Sequence, residues 1–436
     1  MSALLFSHAT VLPMTACGDE ARTFCGSVGI ADNRIAFVSA DPDAEAAFRA
    51  AHPDARIFDC RGKLVMPGLI DTHCHAAMTL QRSYADDIPL MEWLNDYIWP
   101  FEARQTADDV VLGMTLGIVE LLLGGVTSFV DMYYDEDRCV ETVDRLGIRA
   151  VLGCNYFDTN IEEVLPQIER AAASAAGRDR IRIAVAPHSP YTVSPENLRR
   201  GKALADKLGL TMMTHIAETQ EEMRIVRERY GCSPVGHLDS LGLLDERMTG
   251  AHCVWVDDKD IDILAARGVT VSHNPQSNMK IASGVAPVSR MVERGALVTV
   301  ATDGTCSNND LDMFEELRTA AFLQKSATAD PLVLPAYEAL RLATANGARA
   351  MGREGELGVL REGALADLIV IDLQKPHLQP IHDVVSNLVY CGKAADVETV
   401  VVDGRVVVEN RRIPGLDLPQ LYRDVAAAVQ RIKEKN

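Results

Sequence analysis

Two histidines one residue apart, His73 and His75, close an apolar run in "MPGLIDTHCHAAMTL", residues 66–80. On a strand, side chains alternate between faces, so both imidazoles share one face and Cys74 takes the other. Two imidazoles side by side need hydrogen-bond partners if buried, and a shared metal ion or a solvated strand end would each satisfy them. For an isolated His-x-His the solvated end is the commoner case, so the rest of the chain must decide. Other apolar runs also end in polar residues: His188, then His215 with Glu218 three residues on, then His252, His273 and Asp303. Singly, each has an innocent reading: a satisfied core histidine, a helix cap, a turn aspartate before Gly304. Together they put a polar group at the end of six of eight otherwise apolar strands, which those readings do not explain. Three histidines and a carboxylate suit a borderline divalent cation such as Zn²⁺, or Fe²⁺ and its neighbours. Such an ion lowers the pKa of a bound water from 15.7 to about 7, roughly 12 kcal/mol, and so makes hydroxide available at neutral pH.

The elements that must position these groups are short, mostly continuous apolar runs separated by helical patterns, as expected of parallel strands buried on both faces. One helix is read from Thr106 to Leu123, opened by the capping-box pattern Thr106-x-x-Asp109 and stopped by Gly124-Gly125. Eight strands alternating with helices predict a (β/α)₈ TIM barrel over residues 64–354, whose functional groups gather at the C-terminal ends of the strands. Residues 1–63 and 355–436 read instead as short strands and turns, with hairpin signals at Asp32-Asn33 and Asp403-Gly404, followed by a terminal helix. The economical arrangement is one small β-sandwich domain built from both chain ends.

Bulk properties narrow the partners. Of 436 residues, 43 are basic and 62 acidic, a formal charge of −19. That sign repels phosphate backbones and anionic bilayers, so neither nucleic acid nor a membrane is an expected partner. The N-terminal run has no basic residue before Arg22, unlike a secretory signal, and no apolar stretch has spanning length. Ten scattered cysteines without a C-x-x-C pair argue for a reduced, cytoplasmic setting and for packing roles, Cys74 included.

The segments "PGLIDTHCH", "THIAET", "AHC", "SHNPQSN" and "ATDG" resemble the signatures of the amidohydrolase superfamily. More narrowly they resemble its aminohydrolase branch, which includes methylthioadenosine/S-adenosylhomocysteine deaminases, guanine deaminases and triazine hydrolases. The likeness covers nearly the whole chain, including "ATANGARAMG" and "GELGVLREGALADLIVID". It implies His73, His75, His215 and Asp303 as metal ligands. Two-metal members carry a bridging carboxylated lysine on the fourth strand, where this chain reads "AVAPHSP", so one metal per chain is expected, Zn²⁺ ahead of Fe²⁺ or Mn²⁺. Glu218 would pass a proton from water to a ring nitrogen. Asp303 would also orient the nucleophile, and His252 would hydrogen-bond the attacking oxygen. The outcome is hydrolytic deamination.

The loop "TLQRSYADDIPLMEWLNDYIWPFEARQT" resembles the lid of the methylthioadenosine/S-adenosylhomocysteine group. By that match Trp93 would pack over a purine nucleoside, Glu102 would accept from the ribose hydroxyls and His188 would meet a purine nitrogen. Read without the resemblance, it is an amphipathic helix whose aromatics, Trp99 and Phe101 among them, cover the barrel mouth. Members accepting S-adenosylhomocysteine offer arginines to its carboxylate, whereas "NYFDTNIEEVLPQIE" has none. The expected substrate is therefore 5′-methylthioadenosine, adenosine or 5′-deoxyadenosine. The alternatives are a free base such as guanine, a triazine, or a non-catalytic relative. A homo-oligomer is an expectation by analogy with other barrels.

Overall fold

The computed structural model describes residues 3–15 and 23–434. Eight parallel strands run in sequential neighbour order: Leu69–His75, Val126–Tyr133, Arg149–Tyr156, Ile181–Pro187, Thr211–Ile216, Met248–His252, Thr270–His273 and Leu297–Val300. Closure is made by the eighth stretch itself. Leu297–Val300 pairs with the seventh strand; the chain then breaks at Ala301 and Thr302, and Asp303–Gly304 pairs with Cys74 and His75 of the first. Asp71, fully buried on the first strand, bridges the break by accepting from the Thr302 hydroxyl at 2.6 Å and the Thr302 amide at 3.2 Å. The barrel expected from the sequence is present, with a helix after each strand.

The helices start and stop where side chains satisfy their free backbone groups. Ala107–Leu123 is opened by the reciprocal Thr106/Asp109 box. Gln220–Tyr230 is capped by the Thr219 side chain and ended by Gly231 at φ +73°. Inside the barrel, Val130, Met132, Val151, Ala184, Ala186 and Met213 pack on the plug around Ala348 and Met351. The plug lies so close to the first strand that a Cβ on Gly347 would fall 2.8 Å from that of Ile70.

Strands from both chain ends form a second, eight-stranded sheet that wraps its own core of Leu4, Phe6, Val28, Ile30, Val370 and Val401. The hairpins at Asp32-Asn33 and Asp403-Gly404 both form. Two boundaries differ from the sequence reading. Lys63–Pro67 pairs with Leu368–Asp372 in this second sheet, so the chain changes sheet at Gly68, beyond the expected boundary at residue 64. The terminal helix Leu418–Glu434, expected with the β domain, packs on the barrel instead. Ile432, with Val425 and Val429, meets Leu80, Phe101 and Tyr84, and Arg431 pairs with Asp109. Both differences are made by partners distant in sequence. Arg149, buried in a barrel strand, reaches both Asp367 oxygens at 3.0 Å and fastens one domain to the other.

Candidate active site

The first, fifth, sixth and eighth strand ends bring four imidazoles and a carboxylate to one point. The rings of His73 and His75 lie 4.8 Å apart, centroid to centroid, and His215 is 5.0 Å from His73 and 5.5 Å from His75. Asp303 Oδ1 is 3.5 Å from His73 Nε2 and 3.2 Å from His75 Nε2. His73 is wholly buried, and neither of its ring nitrogens has a hydrogen-bond partner among the described residues. A buried orphan imidazole facing two others and a carboxylate is what a tetrahedral divalent cation would satisfy, so these residues fit such an ion.

Three of the four ligand-type side chains are aimed by a second group. His75 Nδ1 donates to the Met132 carbonyl at 2.5 Å and His215 Nδ1 to the His188 carbonyl at 2.7 Å, which turns both Nε2 atoms to the centre. Asp303 Oδ2 accepts from Ser277 Oγ at 2.5 Å and Ser307 Oγ at 3.0 Å, leaving Oδ1 for the histidines. His252 Nδ1 donates to Asn278 Oδ1 at 2.9 Å. Ala217, His252, Cys253 and Asp303 all adopt the left-handed backbone region, uncommon for side-chain-bearing residues. Local hydrogen bonds hold them there: Cys253 N to Ile216 O, and Trp255 N to Ala217 O, both at 2.9 Å. Glu222, buried on the following helix, accepts from the amides of Ala217 and Glu218, each at 2.8 Å, and so fixes the turn that presents Glu218.

Burial sets the charges. It lowers His73 to a pKa of about 4 and His188 to about 3, and pushes the Glu218 carboxyl up. At His75 burial is outweighed by Asp303, which raises the imidazole to about 9. At Asp303 it is outweighed by His73 and His75, which hold the carboxyl well below its usual range.

The cavity above this centre is lined by His75, His215, Glu218, His252 and Asp303 on its inner side and by Trp93, Trp99, Glu102 and His188 on its outer side. The lid helix, Leu90–Glu102, has a widened middle turn in which Trp99 N bonds to Leu94 O, five residues back. Glu102 Oε1 accepts from Tyr133 Oη at 2.8 Å, and burial raises its carboxyl to about 7. His188 stacks on Phe157 at 4.4 Å and places Nδ1 3.0 Å from Thr192 Oγ1. The cavity continues outward past Trp99, Glu102, Tyr134 and Phe157 to Asp135, Asp158 and Glu163, with no lysine or arginine among the lining residues. Phe101 does not line the cavity; it is buried beneath the terminal helix.

All nine sequence-predicted site residues therefore come together, with His73 behind the cavity wall. His273 is buried on the seventh strand and lines no part of the cavity. Cys74 is packed as expected and also donates Sγ to Asp131 at 3.2 Å. Sequence reasoning missed Ser277, Asn278 and Ser307, although each follows a barrel strand within "SHNPQSN" or "ATDGTCSNN". It missed Glu222 and Asn155, for which spacing carries no signal.

A TIM barrel with histidines and an aspartate gathered at its C-terminal mouth defines a hydrolase of the metal-centred class. The chain belongs to the amidohydrolase family, whose sequence profile matches residues 64–407. It is 42% identical over 439 aligned residues, covering 100% of both chains, to the 5-methylthioadenosine/S-adenosylhomocysteine deaminase of Desulforamulus reducens. It is 44% identical to the 5′-deoxyadenosine deaminase of Methanothermobacter thermautotrophicus, over 90% of this chain and 91% of that one. Among solved structures, an adenosine deaminase from Xanthomonas campestris with bound zinc superposes with a TM-score of 0.94 at 34% identity, over 99% of each chain. A zinc-complexed atrazine chlorohydrolase from Arthrobacter aurescens TC1 shares the fold, with a TM-score of 0.88 at 24% identity over 98% of this chain and 100% of that one.

Proposed function

We propose that the protein is a zinc-dependent deaminase of adenosine-type nucleosides, converting 5′-methylthioadenosine, adenosine or 5′-deoxyadenosine to the inosine analogue and ammonia. The observation that carries this reading is the placement of Glu218, His252 and Asp303 on one wall of a cavity whose other wall holds Glu102. The names of the relatives at 42–44% identity support it.

His73, His75, His215 and Asp303 would hold the ion, and their imidazole and carboxylate donors suit Zn²⁺. Bound there, the ion supplies an acidified water at neutral pH. The chain's own groups do the rest. Trp93 packs over the nucleoside, Glu102 accepts from the ribose hydroxyls and His188 meets a purine nitrogen. Glu218, its carboxyl pushed up by burial, takes a proton from the attacking water and delivers it to ring N1. His252, tethered through Nδ1 to Asn278, offers Nε2 to the attacking oxygen, while Asp303 orients that oxygen. Water thus adds across N1=C6; the proton of the new 6-hydroxyl then passes to the amino group, whose loss as ammonia leaves the 6-oxo ring.

The outer continuation of the cavity offers no cation to the α-carboxylate of a homocysteine tail, so S-adenosylhomocysteine ranks below the nucleosides without one. We place the activity in the cytoplasm on the scattered cysteines; no helix among the described residues is long and apolar enough to cross a membrane. The test is a panel of these nucleosides, guanine and a triazine on metal-analysed protein, followed by ultraviolet absorbance and ammonia release. Turnover of the nucleosides is expected. Turnover of guanine or the triazine alone replaces the reading, and protein that binds no divalent ion and turns over nothing removes it.

A further inference from the structure

Asn155 ends the third barrel strand with a carboxamide for which the mechanism above has no use. Gly153, two residues earlier, faces the barrel interior: a Cβ there would lie 2.6 Å from Met213 Sδ and 3.3 Å from Ala186 Cβ. Alternation along the strand turns Asn155 inward as well, into the mouth, while Tyr156 points out to bond the Asn197 carbonyl at 3.2 Å. Asn155 is only 7% exposed and lines the cavity beside Tyr134, Phe157 and His188. Its Oδ1 is buried and has no hydrogen-bond partner among the described residues. The polar neighbours are already engaged, His188 Nδ1 with Thr192 and Glu102 Oε1 with Tyr133. A buried amide oxygen without a donor destabilises the fold unless a ligand brings one.

Resting on the nucleoside reading, we propose that Asn155 reads the sugar: its Oδ1 accepts from the ribose 2′-hydroxyl in a bond shared with Glu102, which also accepts from the 3′-hydroxyl. An adenine nucleoside brings few donors into the cavity, namely its 6-amino group and its hydroxyls. The amino group leaves at the Glu218–Asp303 end, so the donor for Asn155 is a hydroxyl. The third strand pairs Asn155 with Ala186, two residues before His188, so Asn155 sits beside the histidine assigned to the purine. The hydroxyl nearest the base is the 2′.

Steady-state kinetics on adenosine, 2′-deoxyadenosine and 3′-deoxyadenosine test this with the wild-type protein, Asn155→Ala and Asn155→Asp. The wild-type protein is expected to favour adenosine over the 2′-deoxy substrate. Asn155→Ala raises KM about tenfold for adenosine and for 3′-deoxyadenosine, the effect of one lost hydrogen bond, and leaves 2′-deoxyadenosine nearly unchanged. Asn155→Asp keeps an acceptor and restores the preference. An alanine variant impaired equally on all three substrates, with the wild-type ratio kept, overturns the inference and leaves Asn155 a packing residue. If the wild-type protein turns over none of the three and neither 5′-methylthioadenosine nor 5′-deoxyadenosine, the nucleoside reading falls, and the inference falls with it.

Discussion

The inner and outer walls of one cavity are built differently. On the inner wall the four ligand-type side chains stand on barrel strands, and three of them are tied by a second hydrogen bond: His75 to the Met132 carbonyl, His215 to the His188 carbonyl, Asp303 to two serines. On the outer wall Trp93 and Glu102 ride on a helix with a widened turn, and Glu102 is held through the Tyr133 hydroxyl. The inner wall spends backbone strain, at Ala217, His252, Cys253 and Asp303, to fix its geometry. The outer wall spends none at Trp93 or Glu102. Bond-making chemistry tolerates little displacement of its groups, whereas recognition of a sugar or a ring tolerates more.

Substitutions sharpen or break that contrast. The largest effect is expected from Asp303→Ala, which removes a ligand-type group. Metal content by elemental analysis falls, and activity drops by more than the about 100-fold typical of outer-shell changes. Glu218→Gln comes next: kcat falls by about 10²–10⁴ while metal content stays, as for loss of a proton shuttle. Glu102→Gln acts on the other wall, lowering kcat/KM about 10–100-fold on ribonucleosides, with little change on a free base. It also changes stability. Folding raises the Glu102 carboxyl from 4.5 to about 7, so the folded chain binds more protons than the unfolded one in that window, and stability falls as pH rises through it. Glu102→Gln should therefore melt higher than the wild-type protein above pH 7 and lose the advantage near pH 4.5. Trp93→Phe is the smallest, about 0.5–1.5 kcal/mol in binding, or two- to tenfold in KM. A Trp93 or Glu102 variant that also lost its metal would show the two walls to be one unit.

The residues legible in the sequence were those whose chemistry is local. His-x-His on a strand, a carboxylate three residues after His215 and an aspartate before a glycine announce themselves by type and spacing. The alternation of strands and helices is similarly local, and it carried the barrel. What escaped depends on contacts far apart in the chain. Lys63–Pro67 reads as continuous with the first barrel strand until Leu368–Asp372 is available to pair with it. The terminal helix has an ordinary amphipathic pattern that does not say whether its apolar face meets a sheet or Phe101. Asn155 differs from any turn asparagine only through the empty side of its carboxamide.

The break in the eighth strand gives the centre a mechanical office as well. The seam between the first and last strands is short, two residue pairs plus the Asp71–Thr302 bridge and the Thr72 hydroxyl on Thr299, and the residues beside it are His73, His75 and Asp303. An ion held by those three side chains is a rivet across the line where the barrel was sewn shut, and His215 anchors it to the far wall. Binding such an ion would then add its free energy to barrel closure, so that chelation is expected to lower the melting temperature as well as the activity.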